Sequence, residues 1–192
     1  MLASANPGKQ REFQALLAAA GVQLMLQSEL GIGSVPETGE TFEANALIKS
    51  RHAAGAAGLP ALADDSGLEV DALQGRPGVR SARYAGQAAT DEQNNALLLH
   101  ELAGVPSGAR TARYRCALAL VRGIDDPTPI IAVGSWEGRI GLSPAGKGGF
   151  GYDPLFIPHG YSCTAAELSA EAKNALSHRA QALGALLRAL QA

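Results

Sequence analysis

Paired acidic residues beside an apolar stretch are the side chains best suited to chemistry in this sequence. Asp64-Asp65-Ser66-Gly67 directly follows Ala61-Leu62-Ala63, a short run with strand character. Adjacent carboxylates at a strand end repel each other unless a cation or hydrogen bonds compensate them. Mg²⁺ prefers such oxygen ligands and usually takes one or two carboxylates plus substrate phosphates. An Asx turn explains the pair equally well, but the upstream Glu37, Glu40 and Glu43 favour metal binding.

The first loop of the chain has the composition of a phosphate-binding turn. Ser4-Ala5-Asn6-Pro7-Gly8-Lys9 lies between a short predicted strand and a predicted helix. A strand-to-helix turn of this kind offers backbone N–H groups, a helix N-terminus and a fixed cation to a phosphate. An ordinary turn with a solvated lysine is the alternative interpretation.

Two further polar segments lie in the second half of the chain. Residues 144–153 are rich in glycine and include Phe150, whose ring could stack on a base, although core packing explains a lone Phe at least as well. Residues 141–147 spell G-x(4)-G-K, but Gly148 stands where a P-loop needs Ser or Thr, so a P-loop is rejected. Lys173 and Ser177-His178-Arg179 form the last segment, for which a solvated helix end is the alternative.

Composition excludes several classes of protein. The chain has 192 residues, with 16 Lys and Arg against 18 Asp and Glu, and its net charge of -2 gives no general attraction to nucleic acid or membranes. A hydrophobic fraction of 46% suffices for a core. No apolar run is long enough to span a membrane, and the N-terminus lacks a secretion signal. Cys116 and Cys163 form no zinc or disulfide pattern and suit the cytoplasm.

The elements that must position these residues alternate between helix and strand. This order predicts an α/β fold with a mixed sheet flanked by helices, in two lobes with a central cleft. A capping box at Thr90-Asp91-Glu92-Gln93 predicts a helix that runs through Leu102. The other predicted helices are 8–20, 41–57 and 174–190, and the predicted strands are 22–26, 61–63, 68–73, 111–121 and 129–140.

Six motifs, in order and spanning nearly the whole chain, closely resemble those of the inosine/xanthosine triphosphate pyrophosphatase family. Its members hydrolyse non-standard purine nucleoside triphosphates. The motifs are Ser4-Ala5-Asn6-Pro7-Gly8-Lys9 with Glu12, Glu37-Thr38-Gly39-x-Thr41-Phe42-x-x-Asn45-Ala46, Ala63-Asp64-Asp65-Ser66-Gly67-Leu68, Gly78-x-x-Ser81-Ala82-Arg83-Tyr84, Gly148-Gly149-Phe150-Gly151-Tyr152-Asp153-Pro154, and Lys173-x-x-x-x-His178-Arg179.

The resemblance implies a single pyrophosphatase domain over residues 1–192 with a nucleotide-binding cleft, and a homodimer. It implies cleavage between the α- and β-phosphates of ITP, dITP or XTP, giving the monophosphate and pyrophosphate with Mg²⁺ as cofactor. By similarity, Asp65 is the catalytic carboxylate, either as general base or as a metal ligand that activates water. Glu37 is then the second metal ligand, with Asp64 in support. The residues implied to hold the phosphates are Ser4, Asn6, Lys9, Lys49 and Ser66.

The resemblance also implies a base pocket. Phe150 would stack on the purine beside Gly151 and Tyr152, and the residues expected on the base edge are Asp153, Lys173, His178 and Arg179. Hypoxanthine and xanthine present a 6-oxo acceptor where adenine presents an amino donor. Donors such as His178 and Arg179 therefore disfavour adenine, because a buried donor that faces a donor is left unpaired.

One departure and two alternatives accompany the resemblance. Family members usually have a few more residues before the first loop. The start of this sequence is therefore expected to be truncated or misannotated, which leaves Leu2 and Ala3 as nearly all of the first strand. A pyrophosphatase for modified pyrimidine nucleotides, like the septum-formation-inhibitor family, shares the first loop but has no counterpart of Ser177-His178-Arg179. A non-catalytic nucleotide-binding module leaves the carboxylates unexplained, because they repel phosphates unless a metal is bound.

Overall fold

The sheet of this protein is mixed, as predicted. The computed structural model describes residues 1–4, 6–19, 21 and 23–191. Its five-stranded sheet has the order β1-β2-β3-β4-β5, with β1 parallel to β2 and β4 antiparallel to β5. The strands are β1 Leu2–Ala3, β2 Ala61–Val70, β3 Thr111–Val121, β4 Ile130–Ile140 and β5 Phe156–Pro158. The helices of the described residues are α1 Pro7–Ala19, α2 Phe42–Ala57, α3 Asp91–Glu101, α4 Ala170–Leu176 and α5 His178–Gln191.

The chain divides into two compact units. The first unit comprises Met1–Asp65, Cys116–Gly134 and His178–Ala192, and the second comprises Ser66–Arg115 and Ser135–Ser177. Strands β2, β3 and β4 each contribute residues to both units. The nucleotide-binding cleft and the single domain over residues 1–192 stay predictions.

Strand alternation in the first unit places neighbouring residues in different surroundings. One apolar cluster contains Leu2 and Leu62 with Phe13 of α1 and Leu183 of α5. A second contains Ala3, Ala61 and Ala63 with Ala53 and Ala54 of α2. Successive side chains of a strand point to opposite faces of the sheet. Asp64 therefore lies on the face covered by α1 and α5, and Asp65 on the face covered by α2.

Aromatic side chains form the centre of the second unit. The rings of Tyr114 and Phe156 have centroids 4.7 Å apart, and those of Trp136 and Phe156 are 5.3 Å apart. Tyr152 and Leu155 belong to the same cluster, at 3% and 0% exposure. These two residues anchor the glycine-rich segment in the core. Residues 141–155 contain no helix or strand, which agrees with the rejection of a P-loop.

Several predicted elements are confirmed by the structure. Strand β3 has the predicted bounds, and β4 and α2 each begin one residue later than predicted. The capping box at Thr90 and Gln93 begins α3, and a second box joins Thr164 and Glu167. Across the described stretches 1–4, 6–19, 21 and 23–191, no helix has both the length and the apolar character needed to cross a bilayer.

The prediction of a strand over residues 22–26 is wrong for the residues that can be compared. Leu26 forms only an isolated parallel bridge with Leu2, and Val22 lies outside the described residues. The reason is that β1 is two residues long and pairs with β2. It therefore offers little edge for a further strand.

The prediction of two separate strands, over 61–63 and 68–73, is also wrong, because a single strand runs from Ala61 to Val70. Asp64 and Asp65 are both buried within it. Their carboxylates meet cations from helices, so they need no solvent-exposed turn. Residues 71–73, expected in a second strand, form a short 3-10 helix instead.

The closing helix is interrupted where a continuous helix over 174–190 was predicted. Ser177 has extended backbone angles, with φ -64° and ψ 157°, and it separates α4 from α5. Lys173 therefore lies in α4 and in the second unit, whereas His178 and Arg179 begin α5 in the first unit.

Candidate active site

Two carboxylates from separate segments share one cation in the first unit. Lys49 Nζ donates to Glu37 Oε1 at 2.7 Å and to Asp65 Oδ1 at 2.9 Å. The other oxygen of Asp65 accepts a hydrogen bond of 3.2 Å from Asn45 Nδ2. Asn45 and Lys49 are four residues apart in α2, so both present their side chains on the same face of the helix. This face of α2 thus holds both oxygens of Asp65.

A close turn before α2 connects Glu37 to this group. Gly39 N–H donates to Asn45 Oδ1 at 2.8 Å, and a Cβ at Gly39 would lie only 2.8 Å from the same oxygen. Thr41 Oγ1 accepts a hydrogen bond from Ala44 N–H at 3.1 Å and caps α2. Asn45 is a site residue that the sequence reasoning missed. The signal was a polar side chain one turn before Lys49, on the apolar face of the helix.

Asp64 belongs to a different charged group. Lys9 Nζ lies 2.7 Å from Asp64 Oδ2, and Arg179 Nε lies 4.0 Å from the same oxygen. Arg179 Nη1 also donates to Glu12 Oε2 at 2.7 Å. The group joins α1, β2 and α5, and Asp64 is 1% exposed within it. Glu12 is a second residue of the site that the sequence reasoning missed, although its spacing of three from Lys9 places both on one helix face.

The two neighbouring aspartates have opposite pKa shifts. Burial raises the pKa of Asp64, but the charges of Lys9, Lys49 and Arg179 outweigh it and lower the pKa to about 2. For Asp65, burial is the largest influence and Glu37 adds repulsion, so its pKa is raised despite Lys49 and Lys9. Asp64 is therefore a permanent anion near neutral pH. Asp65 has the greater proton affinity, which suits a proton acceptor.

Glu37 and Asp65 have the donor set that fits a magnesium ion. Both place a carboxylate oxygen within hydrogen-bonding distance of one ammonium group, that of Lys49. Two carboxylates with the remaining positions left to phosphates and water are typical of Mg²⁺ sites. In the described part of the chain, no group of three or more His, Cys, Asp or Glu side chains is arranged to hold a metal. The structure groups Asp64 with Lys9 and Arg179 instead.

The first loop brings its predicted residues to the start of α1. Asn6 Oδ1 accepts a hydrogen bond from Lys9 N–H at 3.1 Å, and Pro7 occupies the first helical position. Ser4 Oγ accepts a hydrogen bond from Asn6 N–H at 3.4 Å, and Gln10 Nε2 donates to Ser4 O at 2.7 Å. Ala5 lies outside the described residues. Ser4, Asn6 and Lys9 are thus gathered at the helix N-terminus.

In the second unit, Asp153 connects the predicted base-binding residues. It accepts hydrogen bonds from Lys173 Nζ at 2.5 Å, from Phe150 N–H at 2.9 Å and from Tyr114 Oη at 3.2 Å. Lys173 Nζ lies 4.9 Å from the centroid of the Phe150 ring, within cation–π distance. Asp153 is only 2% exposed. Its carboxylate therefore fixes both the backbone of Phe150 and the ammonium group beside the ring.

The glycine-rich loop requires glycine next to Phe150. Gly149 has φ +71°, and a Cβ there would lie 2.0 Å from Asp153 Oδ2. Tyr152 is buried and donates to Ser81 O at 2.9 Å, so it anchors the loop. Phe150 itself is half-buried, as is Ser66 in β2.

His178 and Arg179 begin α5, which lies close to β4 at Gly134. A Cβ on Gly134 would lie 2.2 Å from His178 O and 2.6 Å from Ala182 N, so only glycine permits this approach. Both residues are nearly fully buried. Arg179 forms an ion pair with Glu12, and the assignment of His178 and Arg179 to the base edge stays a prediction.

Cys116 is a buried core residue. Its thiol is 1% exposed, and burial together with the charge of Asp64 raises its pKa to about 12. A thiol that stays protonated is a poor nucleophile. Cys163 is half-exposed.

We therefore expect the two thiols to differ in reactivity in the native protein. A thiol reagent such as DTNB should modify Cys163 but not Cys116, and both should react in denaturant, because only unfolding exposes Cys116. Mass spectrometry of the native adduct identifies the modified residue. Rapid native labelling of Cys116 would contradict the buried assignment, and a Cys163→Ser variant provides the matched control.

Comparison with known proteins places the chain in a family. The model of the Ham1 family matches residues 1–189. The chain belongs to the Ham1 family. The family predicted from the six motifs is thereby confirmed. Two curated relatives are named dITP/XTP pyrophosphatase: one from Salmonella typhimurium, 54% identical over 100% of this chain and 97% of the relative, and one from Methylococcus capsulatus, 55% identical over 100% and 96%.

Solved Ham1 structures have the same fold. A HAM1 protein from Coxiella burnetii has a TM-score of 0.90 and 47% identity, covering 99% of this chain and 96% of that chain. The Staphylococcus aureus Ham1 protein has a TM-score of 0.86 and 39% identity over 99% and 96%. The pyrimidine-nucleotide alternative of the septum-formation-inhibitor type is not favoured by these relatives.

Proposed function

We propose that this Ham1 protein hydrolyses non-standard purine nucleoside triphosphates, namely ITP, dITP and XTP, to the monophosphate and pyrophosphate. The observation that carries the proposal is the sharing of the Lys49 ammonium by Glu37 and Asp65. Carboxylates arranged around one cation position fit a metal-assisted attack on a phosphate ester or anhydride. The names of the curated relatives, dITP/XTP pyrophosphatase, support the choice of substrate.

Asp65 is proposed as the catalytic carboxylate. Asn45 and Lys49 each hold one of its oxygens, so the carboxylate has a fixed direction in which to orient water and accept a proton. Glu37 and Asp65 would hold Mg²⁺. When bound, this ion would supply positive charge that stabilises the charge developing on the phosphate oxygens. Asp64 would support the site indirectly by fixing Lys9 and Arg179 beside β2.

The triphosphate requires several cations and donors, because it carries about four negative charges. The residues proposed to hold it are Ser4, Asn6, Lys9, Lys49 and Ser66. The hydroxyl and amide groups of the first loop lie at the N-terminus of α1, where the helix dipole favours an anion. Lys9 and Lys49 already have carboxylate partners, which hold their ammonium groups in place.

The purine base is proposed to stack on Phe150. Its ring is half-buried and its backbone N–H is fixed by Asp153. Gly151 and Tyr152 shape the loop, and Lys173 supplies a positive charge beside the ring. His178 and Arg179 are proposed to donate hydrogen bonds to the 6-oxo group of the purine, which adenine lacks, and so to select against adenine.

Pyrophosphate release from a panel of triphosphates tests the substrate assignment. ITP, XTP and dITP are expected to react at least about a hundredfold faster than ATP, because a buried donor left unpaired by the 6-amino group costs several kcal/mol. GTP and modified pyrimidine triphosphates should also react slowly. Equal rates on ATP and ITP would contradict the proposed selectivity, and preference for a modified pyrimidine would favour the alternative.

Metal removal and Glu37→Gln test the proposed magnesium site. Activity should disappear in EDTA and return with Mg²⁺. Glu37→Gln should raise the half-saturating Mg²⁺ concentration about tenfold or more, because one charged ligand is lost. Glu40→Gln is the matched control, since Glu40 is an exposed acid in the same loop. A variant of Glu37 with the Mg²⁺ dependence of the natural protein would exclude Glu37 as a ligand.

A homodimer is proposed from the exposed apolar face of β4. Ile131 and Val133 are 40% and 46% exposed and lie on the same side of the strand. Exposed apolar patches of this kind are typical of protein interfaces. Sedimentation should give twice the chain mass, and Ile131→Asp with Val133→Asp should give a monomer. If the natural protein and the double variant both sediment as monomers, the dimer proposal is refuted. The cytoplasmic location and the absence of nucleic-acid and membrane binding stay predictions from sequence.

A further inference from the structure

Helix α3 holds both backbone polar groups of Gly151. Gly151 N–H donates to Asp91 Oδ2 at 2.6 Å. Asn95 Nδ2 donates to Gly151 O at 2.8 Å and to Asp91 O at 2.8 Å. The residue after Phe150 is therefore fixed by two side chains from one turn of a helix. We call Asp91 and Asn95 the α3 clamp.

The α3 clamp lies on a well-anchored helix of the second unit. Asp91 and Asn95 are four residues apart, so they share a helix face. Thr90 caps the helix by accepting from Gln93 N–H at 3.3 Å, while Gln93 Oε1 accepts from Thr90 N–H at 2.9 Å. Leu98, at 0% exposure, packs in the aromatic core. The clamp thus transmits the position of a rigid helix to the loop.

Phe150 needs such support because glycines flank it. Gly149 has φ +71° and Gly151 has φ +62°, conformations that glycine adopts at little cost. Because glycine has no Cβ, it also restricts the backbone less than other residues do. Asp153 fixes the chain before the ring by accepting from Phe150 N–H. The α3 clamp fixes the chain after the ring. Together these contacts hold the backbone on both sides of the Phe150 ring.

We propose that Asp91 and Asn95 are positioning residues that hold the Phe150 ring ready to receive the purine base. The proposal rests on the proposed function, since it acts through the stacking of Phe150. A ring that is fixed in advance loses no conformational entropy when the base binds. Without the clamp, that ordering must accompany substrate binding, so KM rises. The carboxylates of the first unit are unchanged, so kcat stays close to its natural value.

Kinetics of clamp variants on ITP test the proposal. Asp91→Ala and Asn95→Ala should each raise KM about tenfold and change kcat by no more than about twofold. A tenfold change in KM is the size expected when one hydrogen bond from the side chain to Gly151 is lost. Asp91→Asn retains an acceptor for Gly151 N–H and should restore most of the affinity. Glu92→Ala is the matched control, because Glu92 is the exposed acid beside Asp91. Asp91 is itself exposed, so Asp91→Ala tests the clamp even if Asn95→Ala fails to fold.

A double-mutant cycle with Phe150→Ala separates positioning from a general structural effect. If Asp91 acts through the ring, Asp91→Ala should raise KM in the natural protein but not in the Phe150→Ala background. An equal increase in both backgrounds would overturn the proposal, as would unchanged KM in both clamp variants while Phe150→Ala raises KM. Unchanged KM in the clamp variants, with a raised KM in Phe150→Ala, would leave the proposed function intact. Unchanged KM in Phe150→Ala would instead refute the stacking role of Phe150, and the clamp proposal with it.

Discussion

Asp65→Asn is expected to reduce kcat for ITP hydrolysis by about a thousandfold or more while nucleotide binding is retained. The change keeps the shape of the side chain and the contact with Asn45, but it removes the proton acceptor and one negative charge facing Lys49. General-base catalysis contributes about 10²–10⁴-fold, and the proposed metal site loses a ligand as well. Initial rates of pyrophosphate release give kcat, and equilibrium binding of a non-hydrolysable ITP analogue gives the affinity.

A matched control separates this effect from a general change of charge. Asp125→Asn removes a carboxylate from the exposed turn between β3 and β4 and should leave kcat unchanged. An Asp65→Asn enzyme that retains kcat within about tenfold would remove Asp65 from its catalytic role. Loss of analogue binding together with loss of kcat would assign Asp65 to substrate binding instead.

Arg179→Ala is expected to lower the free energy of unfolding by about 3–5 kcal/mol. Arg179 is 4% exposed and lies between Glu12 and Asp64, so its removal leaves buried negative charge uncompensated. Urea denaturation measures the change. Arg122→Ala is the control, because the side chain of Arg122 is 65% exposed in its pair with Asp126 and such a pair contributes less than about 1 kcal/mol.

The same Arg179→Ala variant also tests the base-edge assignment, under conditions where it remains folded. Loss of a donor to the 6-oxo group should reduce the preference for ITP over ATP, measured as the ratio of kcat/KM values. An unchanged ratio would remove Arg179 from the base edge and leave it a structural partner of Glu12. A loss of stability no larger than that of Arg122→Ala would contradict the role of Arg179 in the buried charged group.

Local signals in the sequence were sufficient to predict much of the fold. Alternating apolar residues predicted β3 with its observed bounds, and a hydroxyl and an amide side chain three residues apart predicted the capping box of α3. The family followed from motifs distributed along the chain. These features depend on short-range spacing, which a single sequence displays directly.

Long-range contacts account for what the sequence did not predict. The run Asp64-Asp65-Ser66-Gly67 has the composition of a turn, yet it continues β2 because Lys9 and Lys49 compensate its charges from α1 and α2. For the same reason Asn45, Glu12 and the α3 clamp were missed as site residues. Each has a polar side chain whose partner lies far along the chain, and only the folded structure brings the two together.

The identity of the products tests the central proposal most directly. Phosphorus-31 NMR of ITP incubated with the protein and Mg²⁺ distinguishes cleavage at the α–β bond from cleavage at the β–γ bond. The proposed function predicts equal amounts of IMP and pyrophosphate, with no IDP. Formation of IDP and orthophosphate, or no turnover of ITP, dITP and XTP, would contradict it.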